Sequence, residues 1–515
     1  MNGFAERRDA GIVLPLFSLR SGRDWGMGDI GDLPGLIRWM ESAHVAAVQL
    51  LPIFEVPPGE RSPYGGLSSF AIDPVYVAVD QLPEMADGLP AELRAGIAAV
   101  RDAGTIAYER VRALKQAGLR LAFERFGRRA DAARTAAFAA FRVAHAEWLE
   151  PYALYRALRG AHGEAAWTAW PERLAAADPT ALADLRTSLD QTVAFQAWVQ
   201  WVAEEQWGAA RGAARAAGVR LLGDVPFMVA ADSADVWADQ RAFRLDATVG
   251  APPDYFDPEG QDWGLPAMRR DVMAEGGHAW WASRVRRLVE LFDGGRIDHV
   301  VGYYRLWEIP RDGAPGFVPH DEGAQRAQGE DLLRLAMQVA GDADLLVEDL
   351  GSIPDFVRAS LHDLGLPGFR VLRWERDDGR FRDPAAWPVC SVGTSGTHDT
   401  STLRTWWEHE LSPDEREALT QIPGLHGLDG RGAAFTPAIH EALLDVLYAS
   451  RSALVLLPLP DAYGGGERIN VPSTVQDTNW SYRMPWAVDD PTDELAAATA
   501  ARLRRLAERH RRSPT

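Results

Sequence analysis

Acidic residues, an arginine and a histidine sit at the ends of short apolar runs in this chain. Asp224 closes Val219–Asp224, Arg296 and Asp298 close Gly295–Asp298, and Glu348 closes Leu345–Glu348 with Asp349 next to it. His398 and Asp399 follow the run Ser391–Gly396. Two carboxyl groups held roughly 5 Å apart can cleave a glycosidic bond with retention. One attacks the anomeric carbon; the other protonates the leaving oxygen and then takes the proton of the incoming hydroxyl. An arginine beside the attacking carboxylate keeps it ionised, and a third carboxylate can bind sugar hydroxyls and favour ring distortion. These residues supply a candidate for every role. Taken singly, an Asp or Glu after a strand caps the next helix. Capping is the poorer account of a whole set on successive runs.

Such a set needs elements that bring its members to one rim. Eight short apolar runs bounded by Gly, Pro or Asp read as fully buried strands: Ile12–Leu16, Ala46–Leu51, Val219–Asp224, Gly295–Asp298, Leu345–Glu348, Gly368–Leu372, Ser391–Gly396 and Ala453–Leu457. Helical spacing lies between most of them, as in Trp281–Leu291, Asp331–Val339 and Thr436–Ser450. The pattern predicts an α/β protein, a (β/α)8 TIM barrel with its chemistry at the C-terminal strand ends; an open doubly wound sheet is the other reading. The second and third runs are far apart. Residues 54–217 begin in a Pro/Gly/Ser-rich loop and become rich in Ala, Arg and Leu, which predicts a mainly helical inserted subdomain. Residues 1–53 and 218–515 then form the barrel, with no separate C-terminal β-domain.

Other signals narrow the chemistry. Gly26–Gly31 fits G-x-G-x-x-G, but Ser18–Trp25 separates it from the preceding strand. A dinucleotide turn follows its strand directly, so a glycine-rich loop at the barrel mouth is the better reading. There is no H-E-x-x-H, no cysteine pair and no G-x-S-x-G elbow. His299 and His398 beside the acids suit hydrogen bonding to a sugar, since Arg296 and the carboxylates already complete a metal-free mechanism. The stretch Gly250–Gly264 reads as a long loop whose Tyr255, Phe256 and Trp263 either stack on sugar rings or staple the loop.

Composition excludes some partners. The 515 residues carry 54 basic and 73 acidic side chains, a net charge of −19 that repels phosphate backbones. No apolar run approaches a membrane span. The stretch Gly11–Leu19 contains Pro15 and reads as a buried strand rather than a signal peptide. The basic tail Ala501–Arg512 reads as a solvated last helix. One cysteine, Cys390, fits a reducing cytosol, and 19 tryptophans favour a carbohydrate ligand.

Motifs spread along the chain resemble the 4-α-glucanotransferase (amylomaltase, disproportionating enzyme) family of the α-amylase clan. Trp25–Gly31 resembles its Y-G-I-G-D-L-G, and Ser62-Pro-Tyr64 with Ser68–Ala71 and Pro74 resembles S-P-Y…S-A-F-A-x-N-P. Gly223–Phe227 and Asp232–Trp237 are similar to G-D-x-P-[IF]…D-S-A-[DE]-V-W. Pro252–Phe256 and Gly260–Gly264 match P-P-D-x-F…G-Q-x-W-G, and Arg296–His299, Glu348–Gly351 and Gly396–Asp399 match the catalytic segments. The resemblance implies Asp298 as nucleophile, Glu348 as acid/base and Asp399 as the third carboxylate. It implies that Arg296, Asp224 and His398 support the reacting glucose, that Tyr64 and Trp263 stack on the glucan, with Tyr255 beside them, and that Asn470 lines the cleft. It further implies α-1,4-glucan and maltooligosaccharide substrates, transfer to a sugar 4-hydroxyl, no cofactor and no essential metal. Separately, the chain is expected to be cytoplasmic and a monomer or weak homodimer. An α-amylase-type hydrolase and a non-catalytic glucan-binding protein are the alternatives. Leu265, Gly65 and Ile72-Asp73 depart from the family pattern in substrate-contact loops.

Overall fold

The computed structural model describes residues 3–101, 103–253 and 259–512. Eight parallel strands close a barrel: β1 (Asp9–Leu14), β2 (Ala47–Leu50), β3 (Arg220–Val225), β4 (Gly294–Ile297), β5 (Asp344–Val347), β6 (Gly368–Val371), β7 (Ser391–Thr394) and β8 (Leu454–Pro458). Each pairs with its neighbours in sequence, and β1 closes the ring on β8. These are the eight runs expected from the sequence. Nearly every strand residue is buried, as expected of a parallel sheet ringed by helices. The first strand begins earlier than Ile12 and stops at Leu14. Pro15 offers no N–H to a ladder, and Leu16–Ser18 turns into a short 3₁₀ helix.

Between β2 and β3 run five helices of ten residues or more: Ala91–Arg101, Tyr108–Arg129, Ala132–Ala144, Ala146–Ala161 and Pro179–Ala216. The last is 38 residues long, starting from Asp178 as N-cap and Pro179 in its first turn. Its middle, Val193–Ala203, is buried around its whole circumference. One side meets Phe123, Phe126 and Phe138 from the neighbouring helices. Further along, Trp207 Nε1 donates to the Leu291 carbonyl at 2.6 Å and Arg211 pairs with Asp293 at 3.0 Å. The helix therefore crosses from the inserted bundle into the barrel's outer ring. No helix among the described residues is long and apolar enough to cross a membrane.

The two ends of the stretch Gly250–Gly264, read from sequence as a loop, belong to strands. Phe243–Ala251 and Gln261–Met268 form an antiparallel sheet with Leu306–Pro310 and Gly316–Val318. Gly250 is required there, because a Cβ would stand 1.8 Å from the Gln261 carbonyl oxygen. Tyr255 and Phe256 lie outside the described residues.

The basic tail also differs from a simple solvated helix. The helix Glu494–His510 is followed by Arg512, which is fully buried at the closed end of the barrel. Its guanidinium donates to the carbonyls of Asp9, Tyr448, Ser450 and Ser452. Arg512→Ala removes four buried hydrogen bonds, and although Arg8 still reaches the Tyr448 and Ser450 carbonyls, each lost bond costs about 0.5–1.5 kcal/mol. The expected loss of stability is on the order of 2–4 kcal/mol. Chemical denaturation of the variant checks this, and an unchanged midpoint would refute it.

Candidate active site

The parallel register sets Asp224 of β3 beside Arg296 of β4. Partners in register share a face of the sheet, and so do residues two apart on one strand. Arg296 therefore reaches both Asp224 and Asp298. Its Nη1 is 2.7 Å from each Asp224 oxygen, and its Nη2 is 2.7 Å from Asp298 Oδ1 and 2.8 Å from Glu348 Oε2. Two oxygens bound to one nitrogen at those lengths stand no more than about 5.5 Å apart. Further contacts fix both acids. Phe227 N–H donates to Asp298 Oδ2 at 3.1 Å and His299 N–H to Glu348 Oε2 at 2.8 Å. His299 reaches that position with a left-handed φ of 46°, a strained conformation for this residue type. Tyr64 donates its hydroxyl to Asp224 at 2.8 Å, so Asp224 fixes the ring as well as the guanidinium.

Asp399 stands on the opposite wall. Asn470 Nδ2 donates to its Oδ1 at 2.6 Å, and His398 Nε2 is 3.4 Å from its Oδ2. The His398 ring is stacked on Tyr64 at 5.1 Å, and Trp480 lies against both rings. The hairpin supplies the third wall. Gln261, Trp263 and Leu265 alternate along one strand and all face the cavity, while Asp262 and Gly264 are exposed. Trp263 is held by Gln261 at 3.0 Å and meets His299 edge to face. Together these residues enclose an open cavity of about 300 Å³ with aromatic walls and a carboxylate floor.

The charge balance in this cavity is lopsided. Among its described lining residues Arg296 is the one arginine or lysine against Asp298, Glu348 and Asp399, and its guanidinium stays charged against the cost of burial because Asp224, Glu348 and Asp298 surround it. Burial, opposed by Arg296 but reinforced by Glu348, pushes Asp298 up to about 6. The two carboxyls are close enough to hydrogen-bond each other. Burial lowers His299 to about 4, leaving a neutral ring at physiological pH. An excess of negative charge at a dry floor favours a transition state in which a sugar ring becomes cationic. A nucleophile must be ionised, so kcat/KM is expected to fall about tenfold per pH unit below about 6 and to level off above it. A profile that stays flat down to pH 4.5 would show that Asp298 does not set the acid limb.

The structure brings together Asp224, Arg296, Asp298, Glu348, His398, Asp399, Tyr64, Trp263 and Asn470. Asp224 does so from behind, bound to Arg296 and Tyr64 rather than lining the cavity. Tyr255 lies outside the described residues. Sequence reasoning passed over Trp480, Phe227, Met228 and Gln261, which also line the cavity. Phe227 and Gln261 stood inside recognisable motifs. Trp480 adopts a left-handed φ of 58° in an irregular segment and has no periodic signal.

Comparison with known proteins gives a consistent result. A family model for 4-alpha-glucanotransferase matches residues 14–489. The 4-alpha-glucanotransferase of Thermus thermophilus is 35% identical over 502 residues, covering 94% of this chain and 95% of that protein. The 4-alpha-glucanotransferase of Mycobacterium tuberculosis is 31% identical, covering 98% of this chain and 76% of its own length. Among solved structures, an amylomaltase from Streptococcus agalactiae in complex with acarbose superposes with a TM-score of 0.85 at 24% identity, covering 98% of this chain and 100% of that one. An amylomaltase from Corynebacterium glutamicum gives a TM-score of 0.82 at 24% identity, covering 98% of this chain and 76% of that one. Both share the barrel fold.

Proposed function

The chain belongs to the 4-alpha-glucanotransferase family and is a glycosyltransferase acting on glucans, and we propose that it works by retaining double displacement at Asp298 and Glu348. The observation that carries this reading is the shared Arg296 nitrogen. It keeps the facing oxygens of the two carboxyls no more than about 5.5 Å apart, the roughly 5–5.5 Å of a retaining pair rather than the roughly 6.5–9.5 Å that an inverting enzyme leaves for water.

In the first step Asp298 attacks C1 of an α-1,4-linked glucose unit. The C1–O bond breaks and Glu348 gives its proton to the leaving oxygen, releasing the shortened glucan. The glucosyl unit is now an ester of Asp298. In the second step the 4-hydroxyl oxygen of an acceptor sugar attacks C1, Glu348 takes the hydroxyl proton, and Asp298 leaves as carboxylate. Two inversions at C1 restore the α configuration. Asp399, oriented by Asn470, holds hydroxyls of the distorted ring. Arg296 stabilises Asp298 as it departs. Tyr64, Trp263 and Trp480 offer apolar faces for sugar rings and limit the access of water to the ester. Leu265 and Gly65 stand where the family pattern has Asn and Gln. Leu265 gives the cavity wall an apolar contact there, which bears on acceptor choice. A reducing, cytoplasmic setting is supported by the single cysteine, Cys390, and a monomer or weak homodimer acting on free glucan is the working assembly.

Incubation of the purified protein with maltotriose alone tests the reading. Glucose together with maltopentaose and longer products is expected. Glucose and maltose without longer products would identify a hydrolase, and binding without turnover would identify a glucan-binding protein.

A further inference from the structure

Away from the catalytic cavity, the structure contains a larger one of about 650 Å³ whose charge is opposite in sign to that of the protein. Arg20, Arg101 and Arg483 all line it, and among the described residues Asp24 is the one carboxylate in its lining. Asp24 is already occupied: it accepts the N–H groups of Ser21 and Gly26 and the Nη2 of Arg483, at 3.0, 2.8 and 2.9 Å. Two further acids stand behind the wall and are committed elsewhere. Asp32 binds Ser21 and Arg23, and Asp489 binds the Gly22 N–H. Among the described residues, Arg20 and Arg101 have no carboxylate partner; Arg101 reaches only the Ser21 carbonyl, at 3.4 Å. Arg483, bound to Asp24, is mostly buried, its side chain 16% exposed.

Three guanidiniums around one space repel each other. Other arginines of this chain are matched by acids: Arg112 by Asp73, Arg287 by Glu204, and Arg296 by its three. Here the carboxylates are outnumbered. Guanidinium forks match phosphate oxygens in geometry and charge, and the space accommodates more than a bare ion.

We infer that this cavity, between the inserted bundle and the Asn479–Ala487 segment, binds a small molecule bearing a phosphate group. It shares no lining residue with the catalytic cavity. It is nonetheless connected to it. Gly104 and Thr105 lead directly into the helix of Tyr108, whose hydroxyl donates to the Trp480 carbonyl at 2.5 Å, and Arg483 follows Trp480 by three residues. Trp480 is the ring that backs Tyr64 and His398. A ligand that draws Arg101 and Arg483 together therefore acts on both ends of the Tyr108–Trp480 link, and its occupancy is felt in the wall of the catalytic cavity.

Calorimetric titration of the full-length protein tests the binding independently of any catalytic reading. The probes are inorganic phosphate and a hexose 6-phosphate, each compared with sodium chloride at matched ionic strength and with the unphosphorylated hexose. The expected result is saturable binding of one phosphate-bearing probe per chain, weakened at least about tenfold in the R20A/R101A double variant. Both arginines are exposed, so that variant should keep its melting temperature and its ligand-free turnover of maltotriose. Tighter binding of the ester than of free phosphate identifies an organic phosphate as the ligand class, and equal affinity identifies the phosphate group itself. Heats no different from the chloride control, or undiminished binding in the double variant, would overturn the proposal.

Discussion

Asp298→Asn is expected to lower kcat for maltotriose disproportionation by about 10⁴-fold or more, and at the same time to make the protein more stable at neutral pH. The first effect follows from chemistry. An amide nitrogen or oxygen cannot form and release the glucosyl ester, and the neighbouring Glu348 cannot replace it while serving as acid. The second follows from crowding of charge. Asp298 lies among Asp224, Glu348 and a single guanidinium, and in the folded chain its proton is held up to about 6 against an ordinary value of 3.8. The folded state therefore binds more protons than the unfolded state between those values, and stability is lost as pH rises from 3.8 through about 6. Above that range the ionised side chain costs on the order of 1–3 kcal/mol, the lower figure allowing for its 20% exposure. Asparagine keeps the shape and removes the charge. Thermal unfolding at pH 7 should show a higher midpoint for the variant, and at pH 4 the gain should nearly vanish. Near-wild-type activity would refute the nucleophile. A midpoint that does not rise at pH 7 would refute the charge-crowding account without touching the chemistry.

Why so much of this site was legible in the sequence is a matter of register. Parallel strands buried on both faces are written as short, continuous apolar runs, so the eight strands stood out without any alternation. A polar residue at the end of such a run has only one place to go, the rim. Arg296 and Asp298, two apart, had to share a face, and Asp224 had to meet Arg296 once β3 paired with β4. Less regular geometry hid the rest. Pro252, Pro253 and Gly260 broke the strand pattern, so the hairpin that presents Gln261, Trp263 and Leu265 looked like a loop. Trp480 depends on a left-handed turn and on Tyr108, far away in the chain. Asp224 was readable as an end-of-strand acid, but its work behind Arg296 and Tyr64 depends on burial that no spacing reveals. Arg512 looked like one more basic residue of a tail, because its four carbonyl partners come from β1, from the end of the helix Pro437–Ala449 and from the turn into β8.

Glu348→Ala is expected to lower maltotriose turnover by about 10³–10⁴-fold, and the loss should depend on the donor in a way that the Asp298 variant's does not. Glu348 acts by moving a proton, so its absence matters most when the leaving oxygen needs one. An α-glucosyl fluoride expels fluoride unaided, and formation of the Asp298 ester from it should be slowed by only about tenfold or less. The ester then accumulates, because no base remains to activate an acceptor hydroxyl. Azide needs no such base. Attacking the ester from the face the leaving group vacated, it should restore turnover and give the α-glucosyl azide. In an Asp298→Ala variant the azide would instead enter the vacated nucleophile's space in a single displacement and give the β-azide. The anomer of the product thus separates the two carboxyl groups, even though they share one Arg296 nitrogen. β-Azide from the Glu348 variant, or equal losses on fluoride and maltotriose donors, would show that the two roles had been assigned the wrong way round.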